Sequence, residues 1–99
     1  MSMLDKIIEN RIERSQKYLK PLINPAIRAH YEVMIRVLQT APRSAPEVKK
    51  MLERKRQELH RATKRDDAEP ISNEIDALEW LHSLLVLESE RRLHEHPVV

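Results

Sequence analysis

The chain has 99 residues and contains no glycine, cysteine or phenylalanine, while 40% of its residues are hydrophobic and 34% are charged. The absence of glycine disfavours phosphate-binding loops and nucleophile elbows, and the absence of cysteine excludes disulfides, thiol catalysis and thiolate zinc sites. With one tryptophan and two tyrosines as its aromatic residues, a single domain over residues 1–99 must build its core from leucine, isoleucine, valine and methionine.

Charge is distributed unevenly along the chain, although the net charge at pH 7 is only +2. Residues 1–46 contain eight basic and four acidic residues, residues 47–65 contain eight and three, and residues 66–99 contain two and nine. This distribution leaves two arrangements open. Either the acidic last segment lies against the basic third segment and neutralises it, or the two form separate surfaces of opposite sign.

Neither the first segment nor the most apolar segment predicts export or membrane insertion. Residues 1–12 carry two acidic residues, whereas a signal peptide has a basic start followed by an apolar stretch. Residues 77–87 are the most apolar, but Glu79 and His82 interrupt them, and they are shorter than the ~20 residues that span a bilayer. We therefore expect a soluble, cytoplasmic protein that does not enter a membrane.

The first two predicted helices have clear start signals. A serine-x-x-aspartate motif beginning at Ser2 precedes the first helix, residues 3–19, which Pro21 ends. Asn24 predicts the start of the second helix, residues 25–40, because its side chain can cap the helix and the following proline loses no hydrogen bond there. The second helix is apolar beyond one stripe, which predicts burial on more than one side.

The third and fourth predicted helices are longer, and the boundary between them is less clearly marked. A capping box of Ser44 and Glu47 predicts the start of the third helix, residues 45–65, which has a narrow apolar stripe. The fourth helix is predicted for residues 71–94, after Pro70, with its start open by about two to four residues. The middle of the fourth helix is apolar around most of its circumference, more than packing on one side requires.

Four helices with short connections predict an all-α fold, an up-and-down four-helix bundle of two helical hairpins with the second hairpin longer. A hairpin that extends beyond the bundle leaves an apolar seam on helix 4 that another chain must cover. A homodimer and a complex with a different protein both satisfy this surface, and both remain open. The candidate interface residues are Trp80, Leu81, Leu84, Leu87 and Arg91.

A second candidate surface is basic. Helix 3 carries basic residues that repeat after about one or two turns, a spacing that can follow phosphates along a nucleic-acid groove. Because no aromatic residues interleave with them, we expect contacts to phosphates without base specificity. The nucleic-acid candidates are Lys50, Arg54, Arg61, Lys64 and Arg65, with Arg11, Arg14 and Lys17 of helix 1 as an extension of this surface.

No pattern in the sequence supports catalysis or a cofactor. Glu79 and His82 form an E-x-x-H pair, the spacing of helical di-iron sites, but such a site needs a second pair, and the chain has only one. No nucleophile and base stand in a recognisable arrangement. We therefore expect no enzyme activity, no metal, no cofactor and no small-molecule substrate.

These patterns favour a small non-enzymatic helical interaction protein, such as an adaptor, an assembly factor or a phage-type inhibitor, that binds another protein or itself through the helix 4 seam. The alternative is a nucleic-acid-binding or nucleoprotein-complex subunit that uses the basic face of helix 3. The partners of Glu74, Glu79 and Glu88 discriminate between the two functions. Pairing with helix 3 favours protein binding, because it cancels the basic face, whereas an outward orientation favours nucleic acid.

Overall fold

The fold is given by a computed structural model that describes residues 2–21 and 24–95, the last four of them by their backbone only. These residues form four α-helices and no β-strand. The helices are α1 (Met3–Leu19), α2 (Pro25–Thr40), α3 (Ala45–Arg61) and α4 (Arg65–Glu95). The predicted all-α fold of two hairpins is confirmed, and the second hairpin is longer because α4 has 31 residues.

Side-chain caps fix the starts of α1 and α2. The Ser2 hydroxyl accepts a hydrogen bond at 3.2 Å from the backbone N–H three residues later. The Asn24 side-chain oxygen accepts from the backbone N–H groups of Ala26 at 2.9 Å and Ile27 at 3.4 Å. These amides have no partner inside the helix, so the caps define where both helices begin. The capping box predicted for α3 is wrong, because Ser44 makes no side-chain cap hydrogen bond.

The boundary between α3 and α4 differs from the prediction. α3 ends at Arg61, because Ala62 has an extended backbone with ψ of 124°, and α4 begins at Arg65 instead of residue 71. Two aspartates in the first turn of α4 favour this early start, since they lie at the positive end of the helix dipole. Pro70 lies inside α4. Proline cannot donate a backbone hydrogen bond, but this loss occurs near the N-terminal end of the helix, where its cost is small.

The two hairpins pack against each other through α2 and α4, and this arrangement flattens the bundle. α4 packs against α2 and α3, α2 also packs against α1, and α1 approaches α4 at few points. Within the described ranges, α3 packs against neither α1 nor α2. His30 of α2 lies 3.2 Å from Asn73 of α4, and Arg43 shares a surface depression with Leu85, so α2 and α4 run in the same direction. The molecule measures 54 × 34 × 16 Å, with α1 and α3 on opposite edges.

The core contains apolar side chains from all four helices, and leucine, isoleucine, valine and methionine dominate it as predicted. Among the described residues, Ser15 is the buried polar one, and its hydroxyl donates a hydrogen bond to the Arg11 carbonyl at 2.8 Å, so its burial leaves the hydroxyl satisfied. The buried apolar residues are Leu4, Ile8, Met34, Val37, Leu38, Val48, Leu52, Ile75, Ala77, Leu78, Leu81 and Leu85.

Candidate protein-binding groove

An open groove separates α1 from α4, because these two helices make few contacts in the flattened bundle. Its central part has a volume of about 570 Å³. The side chains of α1 form most of this part, and a single residue of α4 completes it. The lining residues are Ile7, Asn10, Arg11, Glu13, Arg14, Lys17 and Trp80, and we call this site the α1–α4 groove.

Two exposed apolar residues of α1 lie at its start, beside the later part of α4, and an exposed tyrosine, Tyr18, lies near its end. Met3 and Ile7 are one turn apart and are 58% and 38% exposed. Leu4 lines the same surface depression as Leu85 and Glu88, which places the start of α1 next to this part of α4. The helices are therefore antiparallel, and the apolar start of α1 meets the second half of α4.

An apolar stripe on α4 begins at Trp80, the α4 residue that lines the groove. Trp80, Leu84 and Leu87 follow each other at intervals of four and three residues, so they share one helix face. Trp80 and Leu84 pack partly against the core, whereas Leu87 is 62% exposed. We define the apolar end of the groove as Ile7, which lines it, together with Met3 one turn earlier on α1 and with Leu84 and Leu87 one and two turns after Trp80 on α4.

A cation–π pair lies in the middle of the groove and joins its two walls. The guanidinium carbon of Arg11 is 5.5 Å from the ring centroid of Trp80, within the range at which the ring face attracts a cation. The Nε atom of Arg11 is buried and has no hydrogen-bond partner among the described residues. A buried donor without a partner is unfavourable, so part of the hydrogen-bonding capacity of Arg11 is unused in the free protein.

Three cations of α1 form the other end of the groove. Arg11, Arg14 and Lys17 follow at intervals of three residues, and none of them forms an ion pair within the described part of the chain. Glu13 is the one carboxylate among the lining residues. We call Arg11, Arg14 and Lys17 the basic end. Because α1 and α3 lie on opposite edges of the molecule, the basic end does not extend the basic face of α3, contrary to the prediction.

The acidic residues of α4 neutralise one flank of α3. Glu74 pairs with Lys55 of α3 and with Arg36 of α2, both at 2.8 Å, and Glu79 pairs with Arg56 of α3 at 3.2 Å. The hydrogen bond that the Lys55 ammonium group donates to the Glu74 carboxylate, with the attraction of that charge, raises the pKa of Lys55 above the usual 10.5. The arrangement is thus intermediate between the two that the charge distribution left open.

The outer face of α3 is still basic. Lys50, Arg54 and Arg61 are exposed and form no ion pair among the described residues. Lys64 lies in the connection after α3, and Arg65 lies in α4, where it pairs with a glutamate one turn later at 3.1 Å. The predicted surface of five cations on helix 3 is therefore corrected to three cations, which we call the α3 outer face.

The predicted interface residues of α4 separate into buried and accessible positions. Leu81 is fully buried in the core and presents no surface to a partner, which corrects its prediction as an interface residue. The other three apolar candidates form the stripe along the groove. Arg91 is exposed and pairs at 2.9 Å with Glu88 of the same helix.

Among the described residues, no group of three or more acidic, histidine or cysteine side chains is placed to hold a metal ion. In the same part of the chain, no helix combines the length and the apolar character that crossing a bilayer requires. Comparisons of the chain with protein families, with characterised proteins and with solved structures found no match.

Proposed function

We propose that the protein is a small non-enzymatic helical interaction protein that binds another protein through the α1–α4 groove. The observation that carries this proposal is the exposure of apolar side chains on the helix faces that border the groove, namely Met3 one turn before the lining residue Ile7 on α1 and Leu87 two turns after the lining residue Trp80 on α4. Single exposed apolar residues are common, but a group of them beside a tryptophan is typical of a binding surface. Of the apolar seam predicted on helix 4, Trp80, Leu84 and Leu87 belong to the proposed binding surface.

The shape of the groove favours a macromolecule over a small molecule. Small-molecule sites are concave and bury most of the ligand. The α1–α4 groove is open along its length, and its apolar and basic ends follow one another along α1. A ligand that contacts both ends must therefore be elongated, as a segment of a partner protein is. The absence of cysteine fits a reducing compartment, and we propose the cytoplasm as the place where this binding occurs.

Site-specific photo-crosslinking tests the proposal. Benzoylphenylalanine replaces Leu87 in the protein expressed in its source cells, and the exposure of this position makes the substitution tolerable. The matched control carries the same photo-crosslinker at Gln39, an exposed position on α2 that does not line the groove. We expect a cross-linked product with another protein from position 87 and none from position 39. Equal products from both positions, or none from either, would contradict the proposal, and a product with the mass of two copies would identify a homodimer.

A second candidate function is phosphate binding through the α3 outer face. The observation that favours it is that Lys50, Arg54 and Arg61 are exposed and unpaired, although the acidic α4 lies against the opposite flank of α3. No aromatic residue accompanies these cations, so this surface would contact the nucleic-acid backbone without reading bases. Nucleic-acid binding that Arg54→Glu with Arg61→Glu abolishes would support this function.

A further inference from the structure

The basic end of the α1–α4 groove indicates the chemistry of the partner. We infer that the groove accepts an amphipathic helix whose apolar residues lie along Met3, Ile7 and Leu87 and whose acidic residues lie along Arg14 and Lys17. This inference rests on the proposed function, because it names the kind of partner that the groove binds. Three features of the groove support it: its unpaired charge, its length and the unused hydrogen-bonding capacity of Arg11.

Within the described chain, the cations of the groove lack carboxylate partners, whereas comparable cations elsewhere in the molecule have them. On the other side of the molecule, the cations that face a neighbouring helix have carboxylate partners, as Arg36, Lys55 and Arg56 show at 2.8 to 3.2 Å. Arg14 and Lys17 border α4 without any such partner among the described residues. Carboxylates on a partner are the groups that complete this surface, because each would gain a charge-assisted hydrogen bond.

The length and order of the groove set the pattern of the partner. From Met3 to Lys17, α1 rises about 21 Å, which corresponds to about four helical turns. A helix lying along this line needs apolar residues over about two turns, followed by acidic residues over the next two. The partner helix is expected to end at the basic end, because the negative end of its dipole then lies beside the cations. This is helix-in-groove recognition with a charged terminus.

Arg11 marks the junction between the two ends. Its guanidinium group already stacks on Trp80, and its Nε atom is buried without a hydrogen-bond partner. A carboxylate that approaches along the groove can accept from the terminal N–H groups of this guanidinium, while the stacking holds the group in place. Trp80 is the only tryptophan of the chain, so its fluorescence reports directly on an occupant of the groove.

Three matched helical peptides of about 16 residues test the inference. Each carries leucine at three positions spaced by four and three residues on one face, followed on the same face by two glutamates, two glutamines or two lysines. Affinities are measured by the anisotropy of a labelled peptide and by Trp80 fluorescence. The protein variants are Arg14→Glu with Lys17→Glu in the groove, and Arg54→Glu with Arg61→Glu on the α3 outer face as a control with the same change of charge.

We expect the glutamate peptide to bind the wild-type protein about ten-fold more tightly than the glutamine peptide, as two partly exposed ion pairs predict. The groove variant should lose this preference and favour the lysine peptide, while the α3 variant keeps the preference for glutamate. Equal affinities of the three peptides would overturn the inference. So would a labelled oligonucleotide that binds more tightly than the glutamate peptide and is lost in the groove variant, because the groove would then belong to nucleic acid.

Leu87→Asp separates failure of the inference from failure of the proposed function. If all three peptides bind equally and Leu87→Asp weakens each of them, the groove binds helices and only the acidic preference is wrong. If peptides bind but Leu87→Asp has no effect, binding takes place elsewhere, and both the inference and the proposed function are wrong. If no peptide binds and Trp80 fluorescence is unchanged, the groove does not accept a helix, and the inference is overturned, while cross-linking at position 87 still decides the proposed function.

Discussion

At the scale of single residues, Glu74 links three helices by ion pairs, in addition to the apolar core that they share. Its carboxylate pairs with Arg36 on α2 and with Lys55 on α3, although α2 and α3 do not pack against each other in the described chain. Lys55 also pairs with Glu58 of its own helix at 3.2 Å. A connected set of partly buried charges stabilises more than an isolated surface pair does, since each charge holds its neighbours in position.

Glu74→Gln should lower the free energy of unfolding by about 1 kcal/mol at neutral pH, because Lys55 and Arg36 both lose a charged partner. The pKa of Lys55 is raised in the folded state, so its contribution to stability is complete below the unfolded value of 10.5. That contribution is lost as the pH rises through the folded pKa, and the wild-type advantage should shrink there. Urea denaturation followed by circular dichroism measures both effects. Glu69→Gln is the control, since its pair with Arg65 is exposed, and an equal loss there would contradict the prediction.

Neighbouring residues on α4 show what sequence patterns cannot decide. Leu81 lies in the core and Trp80 lies at the groove. Because apolar residues between Leu78 and Leu87 occur all around the helix, hydrophobic periodicity does not show which of them face the core. The direction depends on where the other helices pack. Ile7 is likewise visible in the sequence as an apolar residue beside the main stripe of α1, but its place on a groove wall follows only from the antiparallel packing of α4.

The two leucines of the stripe should respond differently to the same substitution. Leu84 packs partly against the core, so Leu84→Asp should lower the free energy of unfolding by about 2 to 3 kcal/mol. Leu87 is 62% exposed, so Leu87→Asp should change it by less than about 0.5 kcal/mol. Thermal and urea unfolding of the two variants provide the comparison. If Leu87→Asp destabilises as strongly as Leu84→Asp, Leu87 is a core residue and the apolar end of the groove is not free for a partner.

At the scale of elements, the helix boundaries that a cap determines were predictable, and those that depend on competing signals were not. Asn24 and the proline after it both mark the start of α2, and the structure begins there. Pro70 gives the same kind of signal, yet α4 begins at Arg65. The helix includes an additional turn before the proline because Pro70 removes only one backbone hydrogen bond near the N-terminal end, while Asp66 and Asp67 favour this turn.

Pro70→Ala should stabilise the protein by about 1 kcal/mol, because alanine restores the backbone donor to the Asp66 carbonyl and removes the clash of the proline ring. The gain is smaller than in a helix centre, since Pro70 lies close to the start of α4, and the greater freedom of the unfolded alanine chain offsets part of it. Hydrogen exchange should slow for the amides of residues 65–69 and remain unchanged around Leu78. Pro46→Ala is the matched control, because Pro46 lies in the first turn of α3, where the missing donor costs nothing. An equal gain from both variants would show that Pro70 does not strain α4.

At the scale of the whole molecule, the modest net charge conceals two basic surfaces on opposite edges. The basic end of the groove belongs to α1, and the α3 outer face lies across the molecule, with the paired charges of α4 between them. The sequence predicts the uneven distribution of charge along the chain. It does not predict this separation, because the separation depends on α2 and α4 packing directly together. Each surface can therefore be altered without changing the contacts of the other.

This separation allows net charge and local contact to be distinguished in nucleic-acid binding. The three unpaired cations of the α3 outer face predict weak binding whose logarithm falls with the logarithm of salt at a slope near −3, since each phosphate contact contributes about −0.9. Arg54→Glu with Arg61→Glu should abolish this binding to a labelled duplex at about 50 mM salt, whereas Arg14→Glu with Lys17→Glu, which changes the net charge equally, should leave most of it. Equal losses would mean that the duplex responds only to net charge. A much steeper slope would require phosphate contacts beyond these three cations, and nucleic-acid binding would then replace protein binding as the better-supported function.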